Sequence, residues 1–71
     1  MKLSARNQLS GTVRSVHEGA AIANVEIEIE VGNERLVASI TVEAAKELGL
    51  QEGSEVVAII KASDVMVAIP D

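Results

Sequence analysis

Two short stretches near opposite ends of the chain each place one cation among small polar residues. "SARN" (residues 4–7) surrounds Arg6 with a hydroxyl, a methyl group and an amide, and "KAS" (residues 61–63) sets Lys61 close to Ser63. An oxyanion site uses this mixture, because the cation supplies charge while N–H and O–H groups supply directed hydrogen bonds. Ordinary turns use the same residue types, so composition alone leaves both interpretations open.

Catalytic chemistry has little support in the chain. A nucleophile needs a base within reach and a third group to orient it, and the sequence offers several serines but one histidine, His17. We interpret His17 as a solvent-facing histidine at a turn, with a ligand contact near that turn as the alternative. An enzyme is therefore not expected.

A ladder of carboxylates, formed by Glu26, Glu28 and Glu30, lies in the middle of the chain. On a strand, alternate residues have Cα atoms roughly 6.6 Å apart, whereas hard cations usually take ligands from loops, with help from carbonyl oxygens. The ladder is typical of the solvated face of a strand, and it also opposes edge-to-edge aggregation. We expect no site for a free metal cation, and with one histidine and no cysteine no zinc site.

The composition favours assembly of several copies. The 71 residues predict one domain spanning residues 1–71, and 48% of them are hydrophobic, yet the chain has no aromatic residue and no cysteine. Aromatic side chains bury roughly 150–250 Å² each, so their absence leaves a thin core, and small domains often need reinforcement. Since disulfides are excluded, we expect a homo-oligomer.

The formal net charge of −5 argues against nucleic acid and anionic membranes as partners, since both usually require a basic surface. No secretory n-region and h-region open the sequence, and no apolar run approaches the roughly 18 residues of a membrane span. We therefore expect a cytoplasmic protein.

The elements that must position these residues are mostly short strands. "NVEIEIEV" (24–31) alternates strictly, Gly32-Asn33 predicts a turn, and "ERLVASI" (34–40) returns as the second arm of a hairpin. Upstream, "LSGTVRSVHEG" (9–19) predicts a strand that ends near Gly19. Gly11 within it indicates a bulge or a close backbone approach.

A change of period then predicts a short helix in "TVEAAKELGL", with Thr41 as its N-cap and Gly49 at its C-terminal cap. "VVAIIKA" (56–62) reads as a strand buried on both faces, and "VMVAI" (65–69) as a last short strand.

Five strands with one helix after the third predict an all-β fold, an OB-like five-stranded Greek-key barrel with one short α-helix. A split ferredoxin-like fold would need a second helix. A swapped-hairpin DNA-binding barrel is the architectural alternative.

The two terminal motifs, in their wider context, resemble a known family. "SARNQLSGTV" at the start and "VVAIIKASDVMVAI" at the end closely resemble the molbindins, small molybdate- and tungstate-binding proteins built from one TOBE-type, OB-like domain. "EIEIEVGNERLVASITVEAAKELGLQEG" resembles the family's hairpin, short helix and turn. The resemblance covers essentially the whole chain.

The resemblance implies a hexamer, arranged as a trimer of dimers with strand exchange, that holds molybdate or tungstate between subunits and needs no other cofactor. It also carries over a set of oxyanion contacts from the terminal motifs and the helix start. These are Ser4, Arg6, Thr41, Lys61, Ala62 and Ser63.

Within that set, Thr41 matches a position whose main-chain N–H contributes in related domains, and helix N-termini favour anions in any case. The family also has a second class of site near its threefold axis, for which the turn "VHEGA" offers His17 and Gly19.

Three functions are compatible with the fold predicted from the sequence. The resemblance favours cytoplasmic binding and storage of molybdate or tungstate. A regulatory or interaction module of molybdate transport or regulation is the alternative, because similar domains occur fused to regulators and transporter ATPases. An OB-type nucleic-acid binder would stack bases on aromatic side chains, which this chain lacks.

Overall fold

The computed structural model describes residues 2–71, and its core is one antiparallel sheet with the spatial order β3-β2-β1-β4. The elements in chain order are β1 (Asn7–Glu18), β2 (Ile22–Ile29), β3 (Arg35–Thr41), α1 (Val42–Glu47), β4 (Glu55–Ile60) and a 3₁₀ turn (Ala62–Asp64). The 12-residue β1 is the longest strand; its first half pairs with β4 and the rest with β2. This mostly-β architecture with one short helix confirms the predicted fold class.

The β2–β3 hairpin confirms the alternation read from the sequence. Val25, Ile27 and Ile29 are buried, whereas the glutamates between them are partly exposed. Gly32 and Asn33 turn the chain with positive φ angles of 84° and 54°. These angles suit the residue types, because glycine and asparagine enter the left-handed region at least cost.

Both predicted helix caps are present. The Thr41 side chain accepts a hydrogen bond from the Ala44 N–H at 3.0 Å. At the other end Gly49 has a φ of 63°, its N–H donates to Lys46, and the Leu50 N–H donates to Ala45. This is a Schellman motif, and it explains why the helix stops after two turns.

Gly11 lies where β1 passes close to the β2 backbone, as the sequence indicated. A Cβ built there would lie 2.6 Å from the Glu28 carbonyl oxygen and 2.8 Å from Cγ2 of Ile27. The irregularity in the β1–β2 register lies further along, between Val13 and Ser15. Glycine therefore serves a close backbone approach at residue 11, and the bulge is separate.

The core is small and aliphatic, and one side of it is open. Its buried cluster is Val13, Val25, Ile27 and Ile29. A cavity of about 440 Å³, here called the apolar groove, opens beside this cluster and is lined by residues of β2, β3 and β4 together with Leu48 and Leu50. Since β3 and β4 are the two edges of the sheet, the groove is where a fifth strand would close the barrel.

The predicted fifth strand is not formed among the described residues, and this expectation is corrected. Val65–Asp71 has no strand pairing, and Met66, Val67 and Ile69 are 94%, 90% and 90% exposed. The expectation that the strand starting at Val56 is buried on both faces was also wrong. In β4 half-buried residues alternate with exposed ones, because no layer formed by residues 2–71 covers its outer face.

No helix of residues 2–71 is long and apolar enough to cross a membrane.

Replacing Gly11 with alanine should destabilise the fold by about 1–3 kcal/mol, because the new methyl group overlaps backbone that cannot move aside easily. Urea unfolding at matched protein concentration measures the effect. Ser10→Ala is the control, since Ser10 is exposed on the neighbouring position of the same strand. Equal unfolding midpoints for Gly11→Ala and the control would contradict the close approach.

Replacing Thr41 with alanine should cost about 1 kcal/mol, because the Ala44 N–H loses its side-chain acceptor. Thr41→Ser keeps the hydroxyl and should retain most of the stability. Thermal unfolding followed by circular dichroism compares the two variants. A serine variant as unstable as the alanine variant would show that the hydroxyl is not what matters.

Candidate functional site

The two cationic motifs meet around one cavity. This cavity, of about 520 Å³, is lined by Ser4, Ala5, Arg6, Ile59, Lys61, Ala62, Ser63 and Asp64. Five of the six residues proposed to contact an oxyanion therefore lie together, although more than fifty positions separate the motifs. We call this space the terminal cavity.

The pairing of β1 with β4 explains why the two motifs lie at the same cavity. In the antiparallel β1–β4 ladder, Asn7 is the register partner of Ile60. Arg6 directly precedes the first of these and Lys61 directly follows the second, so both leave the sheet at the same end. The Asn7 side chain reinforces the junction by donating to the Ile60 carbonyl at 3.2 Å, and this amide therefore positions the cavity wall.

A 3₁₀ turn shapes the other wall. The Asp64 N–H donates to the Lys61 carbonyl at 2.9 Å, and the Val65 N–H donates to Ala62 at 3.3 Å. The N–H groups of Ala62 and Ser63 donate to no backbone acceptor within residues 2–71. These two backbone N–H groups and the Ser63 hydroxyl are therefore free to act as donors.

The charges of the terminal cavity differ from those of the outer sheet face. On the outer sheet face, Arg14 forms an ion pair with Glu28, and Arg35 forms an ion pair with Glu26 at 3.0 Å. Neither Arg6 nor Lys61 forms an ion pair with any residue from 2 to 71, and both are exposed. The ion pairs on the outer face engage Glu26 and Glu28, two members of the carboxylate ladder.

Thr41, the remaining oxyanion contact implied by the family resemblance, lies away from the terminal cavity. It ends β3 opposite Ile22, and its hydroxyl is engaged as the helix cap. The structure of one chain does not bring it to Arg6 and Lys61.

His17 and Gly19, the residues of the suggested second site, do not line one cavity together. His17 is exposed and lines a cavity of about 240 Å³ with Asn24, Glu26, Arg35 and Val37. Gly19 is not part of that lining, and its N–H donates to the Ile22 carbonyl at 2.8 Å to close the β1–β2 turn.

Asp64 was not singled out by sequence reasoning, yet it lines the terminal cavity. Its place directly after "KAS" was the available signal.

Comparison with known proteins places the chain in a family. The TOBE domain model matches residues 3–67. Molybdenum-pterin-binding protein 1 of Clostridium pasteurianum is 43% identical over 67 residues, which are 94% of this chain and 97% of that protein.

Two solved structures share the fold closely. MopII from Clostridium pasteurianum superposes with a TM-score of 0.89 and 38% identity, covering 96% of this chain and 100% of that one. A molybdate-binding protein from Sporomusa ovata gives a TM-score of 0.90 and 33% identity, covering 97% and 100%. The chain therefore belongs to the TOBE-domain family, which confirms the resemblance seen in its motifs.

Proposed function

We propose that this protein binds molybdate or tungstate at the terminal cavity and serves as a cytoplasmic store of the oxyanion, without catalysing a reaction. The observation that carries the proposal is the convergence of Arg6 and Lys61, both without a carboxylate partner among residues 2–71, on one cavity.

The donor set suits a tetrahedral dianion. Arg6 offers a planar fork of N–H groups and Lys61 a compact ammonium, while Ser4 and Ser63 offer hydroxyls that rotate toward an acceptor. Hydrogen bonds from charged donors to an anion are roughly twice as strong as neutral ones. The backbone N–H groups of the 3₁₀ turn add directed donors without adding charge.

The names of the relatives support the same ligand class. One is a molybdenum-pterin-binding protein and another a molybdate-binding protein, and this chain covers 97% and 100% of their lengths. Agreement over the whole length of such small binding proteins supports binding of an oxyanion as the function of this domain.

The acidic character of the chain is compatible with anion binding. With a net charge of −5 the surface as a whole does not attract polyanions. Charges beyond a Debye length of about 8 Å are largely screened at physiological salt, so the charged residues that line the cavity, two cations and one carboxylate, dominate what a small oxyanion experiences.

Replacing Arg6 or Lys61 with alanine should each weaken molybdate and tungstate binding by about 10- to 100-fold, because a hydrogen bond to a charged group contributes about 1.5–3 kcal/mol. Isothermal titration calorimetry with molybdate, tungstate and sulfate measures this. Lys46→Gln is the matched control, since Lys46 lies in the last turn of the helix and does not line the cavity.

Absence of molybdate and tungstate binding by the unmodified protein at micromolar concentrations would overturn the proposed function. A loss for Lys46→Gln as large as that for Lys61→Ala would mean that net charge, and not the cavity, governs binding.

We further propose that the protein is a homo-oligomer, a hexamer built as a trimer of dimers, in which partners exchange their C-terminal segments. Two features of one chain complement each other. No strand among residues 2–71 covers the apolar groove. The apolar segment Val65–Ile69 in turn pairs with no strand among these residues and is exposed. The occupant of each groove is thus the same segment of a second copy, which closes the thin core.

Assembly also bears on the remaining residues of the site. A second copy next to the terminal cavity would hold the oxyanion between subunits and could bring its own Thr41 backbone toward it. We propose the turn at His17 and Gly19 as part of a second oxyanion site near a threefold axis, on the strength of the family resemblance.

Val67→Asp should prevent assembly, because a carboxylate at this position cannot be buried in the groove without a partner. Val31→Asp is the matched control: the same substitution at a residue of similar exposure, 86% against 90%, in the β2–β3 turn. Native mass spectrometry with and without molybdate reports subunit number and bound oxyanions together. A monomeric unmodified protein, or a hexameric Val67→Asp variant, would contradict strand exchange.

A further inference from the structure

Asp64 places a negative charge on the wall of the terminal cavity, beside the two cations. We infer that Asp64 is a specificity-determining residue that lowers the affinity of this cavity for doubly charged oxyanions and so keeps binding reversible. The inference rests on the proposed function, since it concerns the same cavity and the same class of ligand.

The Asp64 side chain has no hydrogen-bond or ion-pair partner within the described part of the chain. It forms no ion pair with Arg6 or Lys61, and it accepts no hydrogen bond from residues 2–71. The 3₁₀ turn has no side-chain cap either. Its one structural feature is its place as an exposed acidic residue in the first turn of the 3₁₀ helix.

The backbone holds Asp64 at the cavity. Its N–H is bonded to the Lys61 carbonyl at 2.9 Å, so its backbone is fixed next to that of Lys61 on the cavity wall. A sphere with the volume of this cavity has a radius of about 5 Å, which is shorter than the Debye length of about 8 Å at physiological salt. A carboxylate on this wall is therefore only partly screened from a bound anion.

The charge balance of the cavity follows directly. Arg6 and Lys61 contribute two positive charges and Asp64 one negative charge, so a dianion meets a cavity whose charge is half of what the cations alone would supply. The repulsion from Asp64 is proportional to the charge of the ligand. It therefore weakens a dianion more than a monoanion of the same shape.

This behaviour suits a store that must return its contents. Two unopposed cations and several donors would favour slow release of a dianion, because most differences in affinity among related complexes arise from dissociation rates. A single carboxylate in the cavity lowers affinity without removing any donor that gives the site its shape.

The test compares Asp64→Asn with the unmodified protein, using tungstate and perrhenate, two tetrahedral oxyanions of similar size that carry two charges and one. Charges about 6 Å apart in water change binding about threefold per unit of ligand charge. At low ionic strength the variant should bind tungstate about tenfold more tightly and perrhenate about threefold more tightly. Tungstate should also dissociate more slowly in stopped-flow measurements.

Two variants serve as controls. Asp64→Glu keeps the charge and should bind like the unmodified protein. Glu52→Gln removes one negative charge from the turn before β4, at the opposite end of that strand from Lys61, and should leave both affinities unchanged. In 1 M salt, where the Debye length is about 3 Å, the advantage of Asp64→Asn should shrink.

The outcomes separate this inference from the proposed function. If the unmodified protein binds no tungstate, the proposed function fails and the inference falls with it. If it binds tungstate but Asp64→Asn binds it equally or more weakly, the function stands and the role of Asp64 is wrong. An equal gain for tungstate and perrhenate would also overturn the inference, because a charge effect must scale with ligand charge.

Discussion

The antiparallel pairing of β1 with β4 is the interaction on which the candidate site depends. It brings residue 7 opposite residue 60 and thereby places Arg6 and Lys61 at one end of the sheet. The Asn7 amide strengthens this end of the ladder through a contact spanning 53 positions of sequence. Because the site lies at the end of a regular ladder, its geometry is tied to the stability of the sheet.

The same sheet leaves its core incomplete. The buried cluster consists of four aliphatic residues, and the apolar groove between the edge strands stays open in a single chain. An aromatic-free chain has few ways to close such a gap internally, since valine and alanine cover little area each. Exchange of the C-terminal segment would complete the barrel and position the terminal cavity beside a second subunit. The stability of the fold and the binding of the ligand would then both depend on this exchange.

Charged residues are arranged differently on the outer sheet face and at the terminal cavity. On the outer sheet face, arginines and glutamates pair across strands, while the terminal cavity keeps two cations and one carboxylate apart. A protein with an acidic surface can hold a small anion under these conditions, because only nearby charges are felt through electrolyte. Asp64 then adjusts how strongly the anion is held.

The sequence by itself determined the features that depend on neighbouring residues. The alternation of β2, the Thr41 cap and the Gly49 Schellman motif are local, because period and backbone preference are encoded within a few positions. The motifs around Arg6 and Lys61 were also recognisable as donors. Only the tertiary structure decided that they share a cavity with Asp64 and that residues 65–69 find no partner strand among residues 2–71. These facts depend on the register between strands far apart in sequence, which no local pattern specifies.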